Sequence, residues 1–143
     1  HYYMLFLLCA VVILGLIYIA SNVRTCNFKQ NLTASNHAEM IEFMSTEIQK
    51  CSMGESSLSL KNASGGSATL NCSGLDGVAA KTAFVAHFNG SNFKNPWDNS
   101  KGAASSSDQT QGYNYFTSSG QDVTITTLPA TGETKMTGTV TVD

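Results

Sequence analysis

Residues Tyr2 to Val23, reading YYMLFLLCAVVILGLIYIASNV, carry no charged side chain. A run of this kind constrains the fold more than anything else in the chain. It is long enough to cross a bilayer as a helix, which takes roughly 20 residues. In lipid, or in a dry protein core, its backbone polar groups must pair with one another, which a helix achieves. A secretory signal or signal anchor opens with a start methionine and a positively charged leader. Here the sequence opens at His1 and enters the apolar run at once. His1 is therefore expected to be a processed N-terminus, cut just outside an apolar helix that is retained.

The 143 residues leave room for this helix and one small domain. Charged residues make up 13%, about half the usual share, and Ser, Thr, Asn and Gly replace them. That suits an extracellular, β-rich surface. A net charge of −2 gives no basic patch for nucleic acid, so no nucleic-acid partner is expected. Only Arg24 and Lys29 come soon after the apolar run, so the sequence makes no case for anionic headgroups either.

Helical periodicity continues from Arg24 to Cys51. Phe28, Leu32, Ser35, Ala38, Ile41, Met44, Ile48 and Cys51 recur at three- and four-residue steps, with Glu39, Glu42, Glu47 and Lys50 mostly on other faces. No proline occurs before Pro96, and Gly54 is a suitable stop. Residues 1–53 are expected to form one helix about 80 Å long at a rise of about 1.5 Å per residue. NLTASN at 31–36, poor in helix formers, is the expected place for any kink. A 90-residue domain cannot bury a helix of this length, so the first half, residues 1–25, must project and be covered by something else.

The same geometry sorts the cysteines. Cys9 lies in the apolar run, where a thiol is usually a small hydrophobe. Cys26 and Cys51 on one helix stand about 37 Å apart, far beyond the roughly 7 Å a disulfide allows between Cα atoms. Cys51–Cys72 is left as the internal bridge, closing a loop of about 20 residues for ~3 kcal/mol and implying an oxidising compartment. Metal ligation is the rival reading, but there is no C-x-x-C pair.

Residues 54–143 change pattern. Ser57–Lys61 and Ser67–Cys72 read as strands joined by the turn at Ser64–Gly66. Leu75 to Asn89 reads as a short second helix, and Asn89–Gln111 as a polar, Gly/Ser-rich stretch broken by Phe93 and Pro96-Trp97. Tyr113–Thr117, Asp122–Leu128 and Lys135–Val142 are three further strand candidates, with Thr on one face of the last two. The fold class expected is α+β: a long N-terminal helix packed on a small antiparallel sheet whose other face meets water.

An apolar N-terminus running straight into an amphipathic helix, with a small sheet domain after it stapled to the helix end, resembles the type IV pilins and the related pseudopilins. The stretch FNGSNFKNPWDNSKGA (Phe88–Ala103) resembles the loop in those proteins where an N-P-aromatic-D/N element comes after the second helix. The resemblance spans the whole chain in organisation and is specific mainly in the N-terminal helix. It implies a structural subunit, not an enzyme and without cofactor, metal or catalytic residues. The precursor would sit in the inner membrane, then be polymerised by the pilus assembly machinery. The product would be an extracellular filament of identical subunits, used for adhesion, motility or surface contact. Leu5, Leu8, Val12, Ile13, Gly15 and Leu16 would form the assembly core. The alternatives are a single-pass membrane-anchored extracytoplasmic binding domain, or a pseudopilin of a secretion or DNA-uptake system. The family usually starts with an apolar residue and has Glu at the fifth position, paired with a neighbour's N-terminal amine. This chain has His1 and Leu5 there. Losing that pair leaves the register of assembly unexplained; neighbouring helices are expected to approach closely at Ala10 and Gly15, with the His1 amine reaching a carbonyl or hydroxyl oxygen.

Other signals have plainer readings. Leu128–Gly132 (LPATG) matches a cell-wall sorting signal, but the next residues, ETKMTGTVTVD, read as a strand, and a Pro-x-x-Gly turn explains the match. N-x-S/T sequons occur at Asn31, Asn62, Asn71 and Asn89. Asn31, Asn62 and Asn89 are the glycosylation candidates, with Asn71 crowded by Cys72. His37 and His87 read as surface or helix-face residues rather than ligands, and Asp98 with Asn95 and Asn99 is too poor in carboxylates for calcium. Tyr2, Tyr3, Phe6 and Tyr18 read as packing residues.

Overall fold

The computed structural model describes residues 2–143. Its first element, α1, is one α-helix of 51 residues, Tyr2–Ser52. NLTASN does not break it. The Thr33 hydroxyl donates to the Lys29 carbonyl one turn back at 2.8 Å, so the residue is accommodated within the helix. The helix stops where Gly54 takes φ +103°. The Gly54 N–H donates to the Cys51 carbonyl and the Glu55 N–H to the Lys50 carbonyl, at 3.1 and 3.0 Å. This is the paired closure that a glycine just past a helix end permits.

Strands β1 (Ser57–Lys61) and β2 (Ser67–Asn71) form an antiparallel hairpin. Asn62 closes it, its Oδ1 accepting from the Ser64 and Gly66 N–H groups. Helix α2 (Gly77–Gly90) is capped by Asp76, whose carboxylate accepts from the Ala79 N–H at 2.8 Å. The polar stretch read from sequence as a loop carries three short strands: β3 (Lys94–Asn95), β4 (Asp98–Gly102) and β5 (Ala104–Ser105). These strands are two to five residues long and carry no hydrophobic alternation. Then come β6 (Asn114–Ser119), β7 (Asp122–Thr127) and β8 (Met136–Thr141). Three sheets result: β1-β2, β3-β4 and the four-stranded β5-β6-β7-β8. The last is antiparallel except at its edge, where β5 runs parallel to β6. The architecture is α+β, a long apolar-to-amphipathic helix packed on small, mainly antiparallel sheets.

The second half of α1 enters the core through Met40, Met44 and Ile48, with Leu58, Leu60, Phe84, Phe88, Phe116, Val123, Ile125, Val140 and Val142 around them. Each such side chain contributes roughly 1.5–3 kcal/mol relative to exposure. Cys51, at the end of α1, is bonded to Cys72 at the end of β2, with Cα atoms 5.3 Å apart. The bridge fixes the helix end to the hairpin. Gly138 of β8 lies directly beneath α1. A Cβ there would come within 2.7 Å of the Ile41 Cδ1, so the helix and sheet sit close together at this point.

The buried face of α1 differs from the one the apolar period gave. Phe28, Leu32, Ser35 and Ala38 are exposed. Thr33, Asn36, His37 and Glu47 are buried. The packed face is polar in its lower half because the sheet offers it polar partners there. His37, read from sequence as a surface residue, has only 7% of its surface exposed.

Candidate functional site

Most of the exposed large apolar side chains among the described residues lie in the first half of α1. The large side chains described there between Met4 and Val23, those of Leu8, Val12, Ile13 and Leu16 among them, are 53–75% exposed. Among the described residues it belongs to the one helix long and apolar enough to cross a membrane, and its most apolar window has no share buried in the protein. Gly15 meets nothing within 4 Å of where a Cβ would sit, so its backbone is open to close approach from outside. The side chain of Leu5, and His1 as a whole, lie outside the described residues. A helix apolar on every side, with no part of its own domain over it, has to be covered by lipid or by protein.

Domain contact begins about one turn above the run, where Cys26, Lys29 and Gln30 become half-buried. The β3–β4 hairpin makes this lower rim. The Asn36 amide donates to the Lys94 carbonyl at 3.2 Å. Further down the helix, the Lys29 ammonium sits 5.2 Å from the centre of the Trp97 ring. Trp97 is fixed from three sides. Its indole N–H donates to the Pro129 carbonyl at 2.9 Å, and its backbone N–H to the Asn95 Oδ1 at 2.8 Å. The Asn95 amide in turn donates to the Gln111 carbonyl at 3.2 Å. Gly112, at φ +84°, passes so close to Asn95 and Trp97 that no Cβ would fit. The element read as Asn-Pro-aromatic is thus a rigid strut, and Leu128–Gly132 is the turn that braces it. Asn95 is buried, and its oxygen accepts the Trp97 N–H. No group of three or more His, Cys, Asp or Glu side chains is gathered for a metal among the described residues.

Sequence reading missed a buried polar chain behind the rim. His37 Nδ1 lies 2.8 Å from the Thr127 hydroxyl, which donates to the Asn114 Oδ1 at 2.7 Å. The hydroxyl has one proton, so the imidazole must present Nδ1–H to it. Burial lowers the His37 pKa from its ordinary value. The Asn114 Nδ2 is buried without a partner. The only signal available beforehand was the spacing of Thr33, Asn36 and His37, small and polar on the face that continues into Met40 and Met44. His87 stacks on Phe43 with centroids 4.5 Å apart, and its Nδ1 accepts the Lys61 N–H at 2.9 Å. Its pKa is also lowered, by burial first and then by Lys61, against an opposing pull from Glu47.

The sequons divide. Asn31 is exposed on α1 and Asn62 on its hairpin turn, where its oxygen is used and its face is open. Asn89 is half-buried, its amide donating to the Ala104 carbonyl at 2.9 Å and its oxygen accepting the Ala104 N–H at 3.2 Å. A glycan on that nitrogen would compete with this clamp. No family model, no curated protein and no solved structure matches this chain.

Proposed function

We propose that this protein is the structural subunit of an extracellular filament of the type IV pilus kind. The observation that carries the reading is the division of one unbroken helix. Its upper half is locked into a domain core, and its lower half is apolar on every side and uncovered. Such a subunit rests in a membrane as a precursor and moves into a filament when neighbouring helices replace lipid around it. The contact is heterologous, so repetition gives an open helix rather than a closed ring. Leu8, Val12, Ile13, Gly15 and Leu16 then face other copies, Gly15 marking a close approach. The domains coat the outside and meet whatever the filament touches. Negative-stain microscopy of sheared surface material from cells expressing the chain tests the reading: filaments are expected, and their absence from cells that hold the mature subunit counts against it.

A second reading is a single-pass anchor carrying one binding domain. It draws on the same helix, since a span of this length and polarity suffices for anchoring alone. Charged substitutions in the run separate the two. They should abolish filaments in the first case and release working soluble protein in the second.

A further inference from the structure

We infer that, in the anchored precursor, the lower rim of the domain rests in the lipid headgroup layer, with Phe28 and Trp97 as interfacial aromatics and Arg24 and Lys29 as contacts for headgroup phosphate. This rests on the membrane-held precursor described above and specifies which surface of the protein the lipid meets.

The lengths bring the rim to this level. Tyr2–Val23 spans about 33 Å as a helix, close to the roughly 30 Å of a hydrocarbon core. Arg24 is the first charged residue after the run, and a charge is costly within hydrocarbon, so Val23 stands at the edge of that core. Headgroups extend about 5–8 Å further on each side. Lys29 is only six residues beyond Val23, about 9 Å along the axis, so its backbone level falls at the outer boundary of the headgroups and its long stem reaches back among them; the helix has no break that could swing the domain away. The rim cannot stand off: the Trp97 ring already lies against Lys29.

The chemistry of this level fits a headgroup layer. Phe28 is 67% exposed although it lies past the end of the apolar run and away from the packed face. Trp97 is half-exposed, and its N–H is satisfied inside the protein. Aromatic rings in such positions favour the boundary between apolar and wet phases. Arg24 and Lys29 have long stems that carry their charges outward. The hairpin tip adds the exposed carboxylate of Asp98. The mixed signs favour a zwitterionic headgroup, which presents both a phosphate and a cation, over a purely anionic surface.

Trp97 is the only tryptophan, so the full chain carries its own reporter. It would be reconstituted into phosphatidylcholine vesicles with and without a nitroxide on the choline headgroup. Co-flotation with the vesicles tests anchoring. Loss of Trp97 emission in the labelled vesicles tests the rim. A second protein carries seven helix-forming residues between Arg24 and Thr25. This keeps the helical face nearly in register and raises the domain by about 10 Å. Quenching is expected in the native chain and recovery of emission in the lengthened one. Co-flotation without quenching, or equal quenching in both proteins, overturns the inference and leaves anchoring intact. Failure to co-float overturns anchoring and the inference together.

Discussion

His37 shows how much a single buried side chain can settle. Its folded pKa is lowered by burial, so the unfolded chain takes up a proton first as pH falls below about 6.5. The stability it contributes is complete above that value and is lost as pH drops through the folded pKa. His87 acts in the same direction. Asp98 is lowered by hydrogen bonds from the Ser100 hydroxyl and N–H, and Asp108 by those from the Thr110 N–H and hydroxyl. These carboxylates matter only in acid, below about pH 4. The full chain in detergent is thus expected to melt lower at pH 5 than at pH 7.5, and His37→Gln should shrink the difference. An unchanged pH difference in the variant would remove His37 from the account. Asn95 gives a second test at this scale. Asn95→Ala leaves the Trp97 N–H and the Gln111 carbonyl without their partner, which should cost about 1–3 kcal/mol. Denaturant titration monitored by Trp97 fluorescence reads it directly. Neither residue stood out in the sequence as structural. An isolated His and an Asn in a polar loop have the same local pattern whether solvated or buried, and burial is decided by strands far away in the chain.

At the scale of elements, α1 divides along one axis into an uncovered apolar half and a half packed in the core. In the proposed filament, the lower half should tolerate no unpaired charge. Leu8→Asp and Ile13→Asp are expected to abolish filaments while the domain stays folded, because neither side chain touches the core and a dry, unpaired carboxylate is costly. Normal filament yield from both variants would dismiss the polymer reading. Leu5→Lys should also block assembly, because it sets an unpaired ammonium in a dry core. The upper half is tied down by Cys51–Cys72. Replacing both cysteines with Ser should lower stability by ~2–4 kcal/mol, read as a shift in denaturant midpoint. Peptide mapping under non-reducing conditions should recover the Cys51–Cys72 link. The helix, the β1–β2 hairpin and strands β6 to β8 were legible because each carries its own period and its own stop signal. The β3, β4 and β5 pairs were not legible. They are two to five residues long and mostly exposed, and the side chains that bond to them, Asn36 on β3 and Asn89 on β5, come from the two helices.

For the whole molecule, local period and length in the chain were enough to set the projecting rod, the α+β class and the Cys51–Cys72 bridge. The rod comes from an uncharged run in an unbroken helix with a glycine stop. The choice of bridge was narrowed by helix rise, which keeps Cys26 and Cys51 too far apart to pair. Each of these depends only on a rise per residue or a reach. Tertiary packing chose which face of the rod is buried. The apolar period pointed to Phe28, Leu32 and Ser35, but the domain packs instead on Thr33, Asn36 and His37. Partners on β3 and β7, more than fifty residues away, supply the hydrogen bonds that make a polar face worth burying. Packing also placed Trp97 against Lys29, at the level where the rod leaves the apolar run. No local pattern can specify that height, because it is set by the register in which a distant hairpin docks along the helix.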